Sequence, residues 1–189
     1  MSGNDRTLYI LGAGGHGRVV FDAAWSVGHW TRLLFADDAP ALHGRVIMGA
    51  RVLGGRANLP PPGPGVAVLP AMGHDIRRLE LVEALLDQGY DVPSLAHAQA
   101  WVSPWAELGP GSVVLAQAVV NPGARLGKAC VVNTAASVDH DCVLEDGARL
   151  SPGVHLAGNG HVGRLSHLGV GCAVIQGVHV GAGCVVGAG

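Results

Sequence analysis

From Val102 to Val186 every sixth residue is Leu or Val, fifteen times without a break: Val102, Leu108, Val114, Val120, Leu126, Val132, Val138, Leu144, Leu150, Leu156, Val162, Leu168, Val174, Val180 and Val186. A helix repeats its apolar face every ~3.6 residues and a strand every ~2, so neither explains this period. A chain winding through three short flat faces of six residues does, with eighteen residues completing one coil. The 88 residues from Val102 to Gly189 make nearly five such coils, stacked to roughly 24 Å at sheet spacing.

Counting the Leu or Val as position one, position five is almost always small: Ala118, Ala124, Cys130, Ala136, Cys142 and Ala148 are examples. The interior narrows there, and all four cysteines occupy that position. Cys130 and Cys184 share a face but lie three coils apart, roughly 14 Å, too far for a disulfide. The cysteines are therefore expected as small interior fillers. The residue after the Leu or Val is often Gly, Asn or Asp, which predicts corners of positive φ at that position. Trp101 and Trp105 are expected to cover the open end of the first coil or the domain junction.

The first ninety residues obey a different pattern. Leu8 to Leu11 is a short apolar strand, Gly12 to Gly17 a glycine turn, and Arg18 to Val27 a helical pattern stopped by Gly28. Arg32 to Ala36 reads as a second strand, Val46 to Leu53 as strand or turn, and Pro60 to Gly65 as a surface loop. Val66 to Pro70 is a third strand, followed by an amphipathic helix from Asp75 to Gln88. The order strand, helix, strand, strand, helix predicts a small parallel-sheet, Rossmann-like α/β domain over 1–92. The β-helix occupies 93–189.

Composition narrows the functions. Hydrophobic residues make up 49% of the 189 and aromatics only 4%, so the core is built from Val, Leu and Ala. A net charge of −2 with scattered signs leaves no basic footprint for nucleic acid or an acidic membrane. Met1 to Asp5 is polar, and no signal peptide or bilayer-length apolar run is read. The expectation is a soluble cytoplasmic protein without a nucleic-acid or membrane partner.

Two groups of residues carry chemistry. Gly12, Gly14 and Gly17 fit G-x-G-x-x-G between a strand and a helix, where backbone N–H groups and a helix N-terminus suit a phosphate. Asp37-Asp38 closes the next strand and suits hydroxyl or base N–H groups. The domain is short for a complete NAD site and fits a nucleoside diphosphate better. A tight turn with a solvated acidic loop is the plainer alternative. The second group runs from Asn133 to Cys142, with His140 at position three, near a corner, between Asp139 and Asp141. A neighbouring carboxylate raises an imidazole's pKa and sets its tautomer, as a general base needs.

The glycine turn, Phe35 to Asp38, Gly73-His74-Asp75-Ile76-Arg77 and the N-T-x5-H-D-C segment together resemble one family over essentially the whole chain. It comprises the two-domain sugar acetyltransferases that act on amino groups of nucleotide-activated sugars, with their sialic acid O-acetyltransferase-like relatives. The resemblance implies a left-handed parallel β-helix of hexapeptide repeats, acetyl-CoA as co-substrate and a homotrimer. It implies that Gly12, Gly14, Gly15, His16 and Gly73 bind the sugar nucleotide around its phosphates, and Asp37 and Asp38 its uracil or ribose end. His140 would be the general base, Asp141 its modulating carboxylate and Asn133 a substrate-orienting group. Ser151 and Gly158 would meet the pantetheine arm of acetyl-CoA. The implied substrate is a UDP-linked 4-amino-4,6-dideoxy sugar.

Two departures from the family stand out. Relatives often carry a second histidine nine residues after the first, where this chain has Arg149, suited to a CoA phosphate or carbonyl. Relatives also continue past the mid-hexad stop at Gly187-Ala188-Gly189 to a Gly-x-Pro-Ala motif; a truncated C-terminus, weaker CoA affinity and aggregation are expected. Three other functions fit parts of the sequence. One is sugar O-acetylation by the same base. Another is a zinc hydrolyase of the γ-carbonic anhydrase kind, using position-six histidines such as His155, His161, His167 and His179, although no metal is expected. The third is a nucleotide-sugar-binding module without catalysis.

Overall fold

A computed structural model describes residues 6–189. Met1 to Asp5, on which the reading of the N-terminus rests, lie outside the described residues. The chain divides into two compact units, the first ending at Pro93 and the second running from Ser94 to Gly189.

The first unit is built on three parallel strands, β1 (Thr7–Leu11), β2 (Arg32–Ala36) and a strand at Val66–Pro70, with β1 in the middle. Between them, β3 (Val46–Ile47) and β4 (Ala50–Arg51) form a hairpin whose turn residues Met48 and Gly49 have φ of 51° and 79°. The third sheet strand is therefore β5. Leu8, Ile10, Phe35, Val68 and Leu69 are fully buried in the sheet. Phe35 stacks on Phe21 of helix α1 (Gly15–Val27) at 5.0 Å between ring centres. Helix α2 (Asp75–Asp87) packs against β5.

Helix α1 begins three residues earlier than its apolar pattern predicts. The glycines explain this: a Cβ on Gly17, in the first turn, would collide with the carbonyl of Gly12, and one on Gly12 would lie 2.7 Å from the Ala71 carbonyl oxygen. Bare backbone lets the turn after β1 fold under the helix and beside the end of β5. Because the chain steps from β1 to β2 on one side and returns to β5 on the other, a crevice opens at the C-terminal ends of β1 and β5.

The second unit is a three-faced parallel β-helix of two-residue strands. One face stacks Trp101–Val102, Val119–Val120, Ser137–Val138, His155–Leu156 and Ala173–Val174; the second holds strands from Glu107–Leu108 to His179–Val180. The third begins one strand earlier, at Leu95–Ala96, and has six strands. Residues eighteen apart are in register, as Ser137 with His155. Position-one side chains from Val114 to Leu168 point inward and are at most 4% exposed. At position five Cys130, Cys142 and Cys172 are buried free thiols and Cys184, in the last coil, is half-buried. Ser112, also at position five, donates to the Gly127 carbonyl (2.6 Å) and accepts from the Cys130 N–H (2.8 Å), so even its polar atom stitches coils together.

Two expectations need correction. Positive φ falls at position four, as in Gln117, Ala129, Ala135, Asp141, Asn159 and Leu165, and not at the residue after the Leu or Val. Glycines at position two answer a different demand, since a Cβ on Gly109 would lie 2.5 Å from the backbone of Gly127 in the next coil. Trp101 and Trp105 do not close the open end of the first coil: they stand outward, 60% and 75% exposed.

Candidate active site

In the first unit the crevice holds a cavity of about 420 Å³ lined by Gly12, Asp37, Asp38, Arg56, Gly73 and Arg77, among others. Asp37 is a clamp. Its Oδ2 accepts the Ala13 N–H and its Oδ1 the Ala39 N–H, both at 2.8 Å, tying the glycine turn to the segment after β2. Asp38 is held by Arg56, whose backbone N–H donates to Oδ1 (2.9 Å) and whose Nε donates to Oδ2 (3.3 Å). That backbone hydrogen bond is the main reason its carboxyl titrates below the usual aspartate range. Gly14 caps α1 and Gly15 opens it; a Cβ at either would meet nothing within 4 Å, so the helix N-terminus is open to an anion. His16 is half-buried in the first turn and does not line the cavity, nor do Gly14 and Gly15.

In the second unit His140 sits exposed on a turn. Its Nδ1 lies 2.9 Å from Asp141 Oδ2, and its backbone N–H donates to Asp139 Oδ1 at 2.8 Å. Asp139 Oδ1 also accepts from Asn121 Nδ2 (2.9 Å), one coil earlier on the same edge. The hydrogen bond with Asp141 raises the His140 pKa, helped by the charges of Asp139 and Asp141. Gly158, one coil later, lies under the imidazole: a Cβ there would come 2.5 Å from Nε2. With Nδ1 occupied by the carboxylate, Nε2 is the nitrogen left to take a proton. A second cavity, of about 390 Å³, opens beside this edge, lined by Asn121, Ser137, Asp139, His155, Ile175 and Gln176 among others.

The neighbouring Cys142 is no nucleophile. Burial pushes its thiol pKa up, and its Sγ is occupied inside the prism by the Ala157 carbonyl (3.2 Å) and the Gly160 N–H (3.3 Å).

The expected site residues do not all share one edge. His140, Asp141 and Gly158 stand at the corner after the first face, whereas Asn133 and Ser151 occupy the corner after the third, and Arg149 lies on the third face. Asn133 Oδ1 accepts the Thr134 N–H (2.8 Å), and the buried Ser151 hydroxyl pairs with His167 Nε2 (2.8 Å). Asn121 and Arg56 were not singled out from the sequence. Asn121 was detectable, being eighteen residues before Asp139, but Arg56 opens a short 3-10 turn belonging to no motif. Of the position-six histidines, His161 and His179 stack at 4.1 Å, and His161 bonds Glu145 Oε1 at 2.9 Å. Among the described residues no group of three or more His, Cys, Asp or Glu is placed to hold a metal ion.

The family model of the PglD N-terminal domain matches residues 7–85. The acetyltransferase domain of PglB from Neisseria gonorrhoeae is 39% identical, with a TM-score of 0.92 over 98% of this chain and 90% of that one. The same domain in complex with acetyl coenzyme A superimposes with a TM-score of 0.84 at 39% identity, over 97% and 93% of the two chains. PerB from Caulobacter crescentus, in complex with CoA and GDP-perosamine, is 36% identical over 97% of this chain and 86% of that one, with a TM-score of 0.88.

An α/β unit with an open helix N-terminus, joined to a left-handed parallel β-helix carrying an exposed His–Asp pair, defines an acetyl-CoA-dependent acyltransferase. The chain belongs to the PglD N-terminal domain family, the two-domain sugar N-acetyltransferases.

Proposed function

We propose that the protein acetylates the amino group of a UDP-linked 4-amino-4,6-dideoxy sugar, with His140 as general base and a homotrimer as the working form. The His140–Asp141 pair, seated on Gly158 at 2.9 Å between Nδ1 and Oδ2, is the observation that carries this reading. A neutral sugar amine attacks the thioester carbonyl of acetyl-CoA, forming a C–N bond and a tetrahedral oxyanion. His140 Nε2 takes the proton the nitrogen must lose, the C–S bond breaks, and the CoA thiolate leaves. Asp141 stabilises the imidazolium that results. Asp139, anchored by Asn121, holds the backbone from which the ring projects.

Two further observations support the reading. Variants of the Caulobacter enzyme with one histidine replaced, by asparagine or by alanine, were obtained with both CoA and GDP-perosamine bound. Asn133, Arg149 and Ser151 stand away from the His140 edge in a single chain, and the proposed closed threefold assembly would bring such an edge from a neighbour. They are then cofactor-side or substrate-orienting groups contributed across subunits. In the first unit, Gly12 and Gly73 line the cavity for the nucleotide, and Gly14, Gly15 and His16, at the N-terminus of α1, are the groups proposed for its phosphates. Among the described residues no helix is long and apolar enough to cross a membrane; the cytoplasm is the place of work proposed with this substrate.

The test is an acetyl-transfer assay over UDP- and GDP-linked amino sugars and free sialic acid, with light scattering to give the oligomer. The reading expects N-acetylation of a UDP-linked amino sugar, a trimer, and turnover lowered by orders of magnitude in His140→Ala with CoA still bound. Unchanged kinetics in that variant would overturn the role of His140.

A further inference from the structure

We propose that Arg56 and Arg77 form a two-guanidinium clamp for the diphosphate of the sugar nucleotide, and that Asp38 positions the clamp and does not itself bind the sugar nucleotide. This rests on the reading that the first unit holds a nucleotide.

The two arginines come from separate elements. Arg56 opens the 3-10 turn Arg56–Asn58, and Arg77 stands in the first turn of α2, its backbone N–H accepted by His74 Nδ1 at 3.3 Å. Both side chains converge on Asp38 Oδ2, Arg56 through Nε at 3.3 Å and Arg77 through Nη2 at 3.9 Å. Both line the same 420 Å³ cavity as Gly12 and Gly73.

Counting donors gives each group its task. A guanidinium has five N–H groups in a planar fork. Asp38 engages the backbone N–H and Nε of Arg56, which fixes the direction of the fork; no hydrogen bond within the described residues uses its Nη amines. The Arg77 contact at 3.9 Å is an ion pair too long for a hydrogen bond, so this fork too has donors to give. The other carboxylate of the cavity, Asp37, has each of its oxygens on a backbone N–H. The cavity therefore offers converging cationic donors, and a diphosphate supplies matching acceptor oxygens that arginine forks bind in pairs. A loop held this closely also explains Gly55, whose Cβ would lie 2.7 Å from Asp38 Oδ1.

Calorimetric titration of the full-length protein with UDP and with uridine tests the clamp, GDP and guanosine serving as the second pair. Arg56→Ala and Arg77→Ala should each weaken diphosphate binding about ten- to a hundredfold while leaving nucleoside binding unchanged. The affinity of the variants should also fall less steeply with added salt than that of the wild type. Asp38→Ala should weaken UDP and spare uridine, whereas a ribose or base contact at Asp38 would weaken both. Equal losses for UDP and uridine, or no loss for either, would overturn the clamp while leaving nucleotide binding intact. A wild-type protein that binds neither UDP nor GDP would instead remove the nucleotide reading on which the clamp stands.

Discussion

The imidazole of His140 rests on Gly158, and the fit leaves no room for one more carbon: a Cβ at 158 would lie 2.5 Å from Nε2 and 2.7 Å from Cε1. Its three nearest neighbours are all atoms of that ring. The absence of a side chain at 158 is thus a demand made by His140, whatever acetyl-CoA also requires there.

Gly158→Ala should therefore act through His140. The ring must tilt off its seat, and a displacement of about 1 Å at a catalytic group lowers turnover by about a hundredfold. In the His140→Ala background the same substitution should cost almost nothing more. Steady-state kinetics of the two single variants and the double variant measure that coupling; additive losses would place the effect of Gly158 elsewhere.

The pH profile follows from the direction of the His140 shift. Its pKa is raised, chiefly by the Asp141 hydrogen bond, and only the neutral ring accepts a proton. kcat/KM should fall as pH drops through that raised value. Asp141→Asn removes the charge and leaves only a neutral amide carbonyl as acceptor, so the acid limb should move to lower pH. The plateau should also fall, because a less basic imidazole takes the proton less readily. An acid limb that stays in place in Asp141→Asn would separate it from His140.

Much of this edge was legible in the sequence because the coil is a ruler. Residues that differ by eighteen share a corner, which pairs His140 with Gly158 and Asn121 with Asp139, and sets Asn133 with Ser151 on another edge. The same ruler did not show which hexad position turns with positive φ, because Gly at position two and Gly at position four look alike in sequence. Only the stacking separates them. In the first unit the sheet and both helices followed from apolar periodicity, but the hydrogen-bond partners of Asp37 and Asp38 did not. Ala13, 24 residues before Asp37, offers only a backbone N–H at a variable place of the glycine turn, and Arg56, 18 residues after Asp38, belongs to no motif.

The two kinds of glycine should respond differently to alanine. Gly109→Ala places a Cβ 2.5 Å from the Gly127 backbone, which cannot yield without parting two coils, and should cost about 2–3 kcal/mol. Gly153 has φ of 68°, but its Cβ would meet nothing closer than the Gly171 Cα at 3.9 Å. Ala129 and Ala135 already adopt that conformation at φ of 54° and 56°, so Gly153→Ala should cost only about 1 kcal/mol. Denaturant unfolding of the two variants ranks them, and the reverse order would refute the division between stacking and turning glycines.

Asp37 gives the sharpest contrast with the arginines. Its oxygens hold the N–H groups of Ala13 and Ala39, and Ala13 is 1% exposed, so Asp37→Ala strands a buried donor. That should destabilise the first unit by about 2 kcal/mol. Asp37→Asn keeps one carbonyl acceptor for two donors and turns an amide NH2 toward the other, so its cost should fall between alanine and wild type. Because the clamp shapes the glycine turn and not one ligand group, Asp37→Ala should weaken UDP and uridine together. Thermal unfolding and titration of the same samples check both halves. Loss of UDP binding alone, with stability unchanged, would make Asp37 a phosphate-side group and not the fastening of the turn.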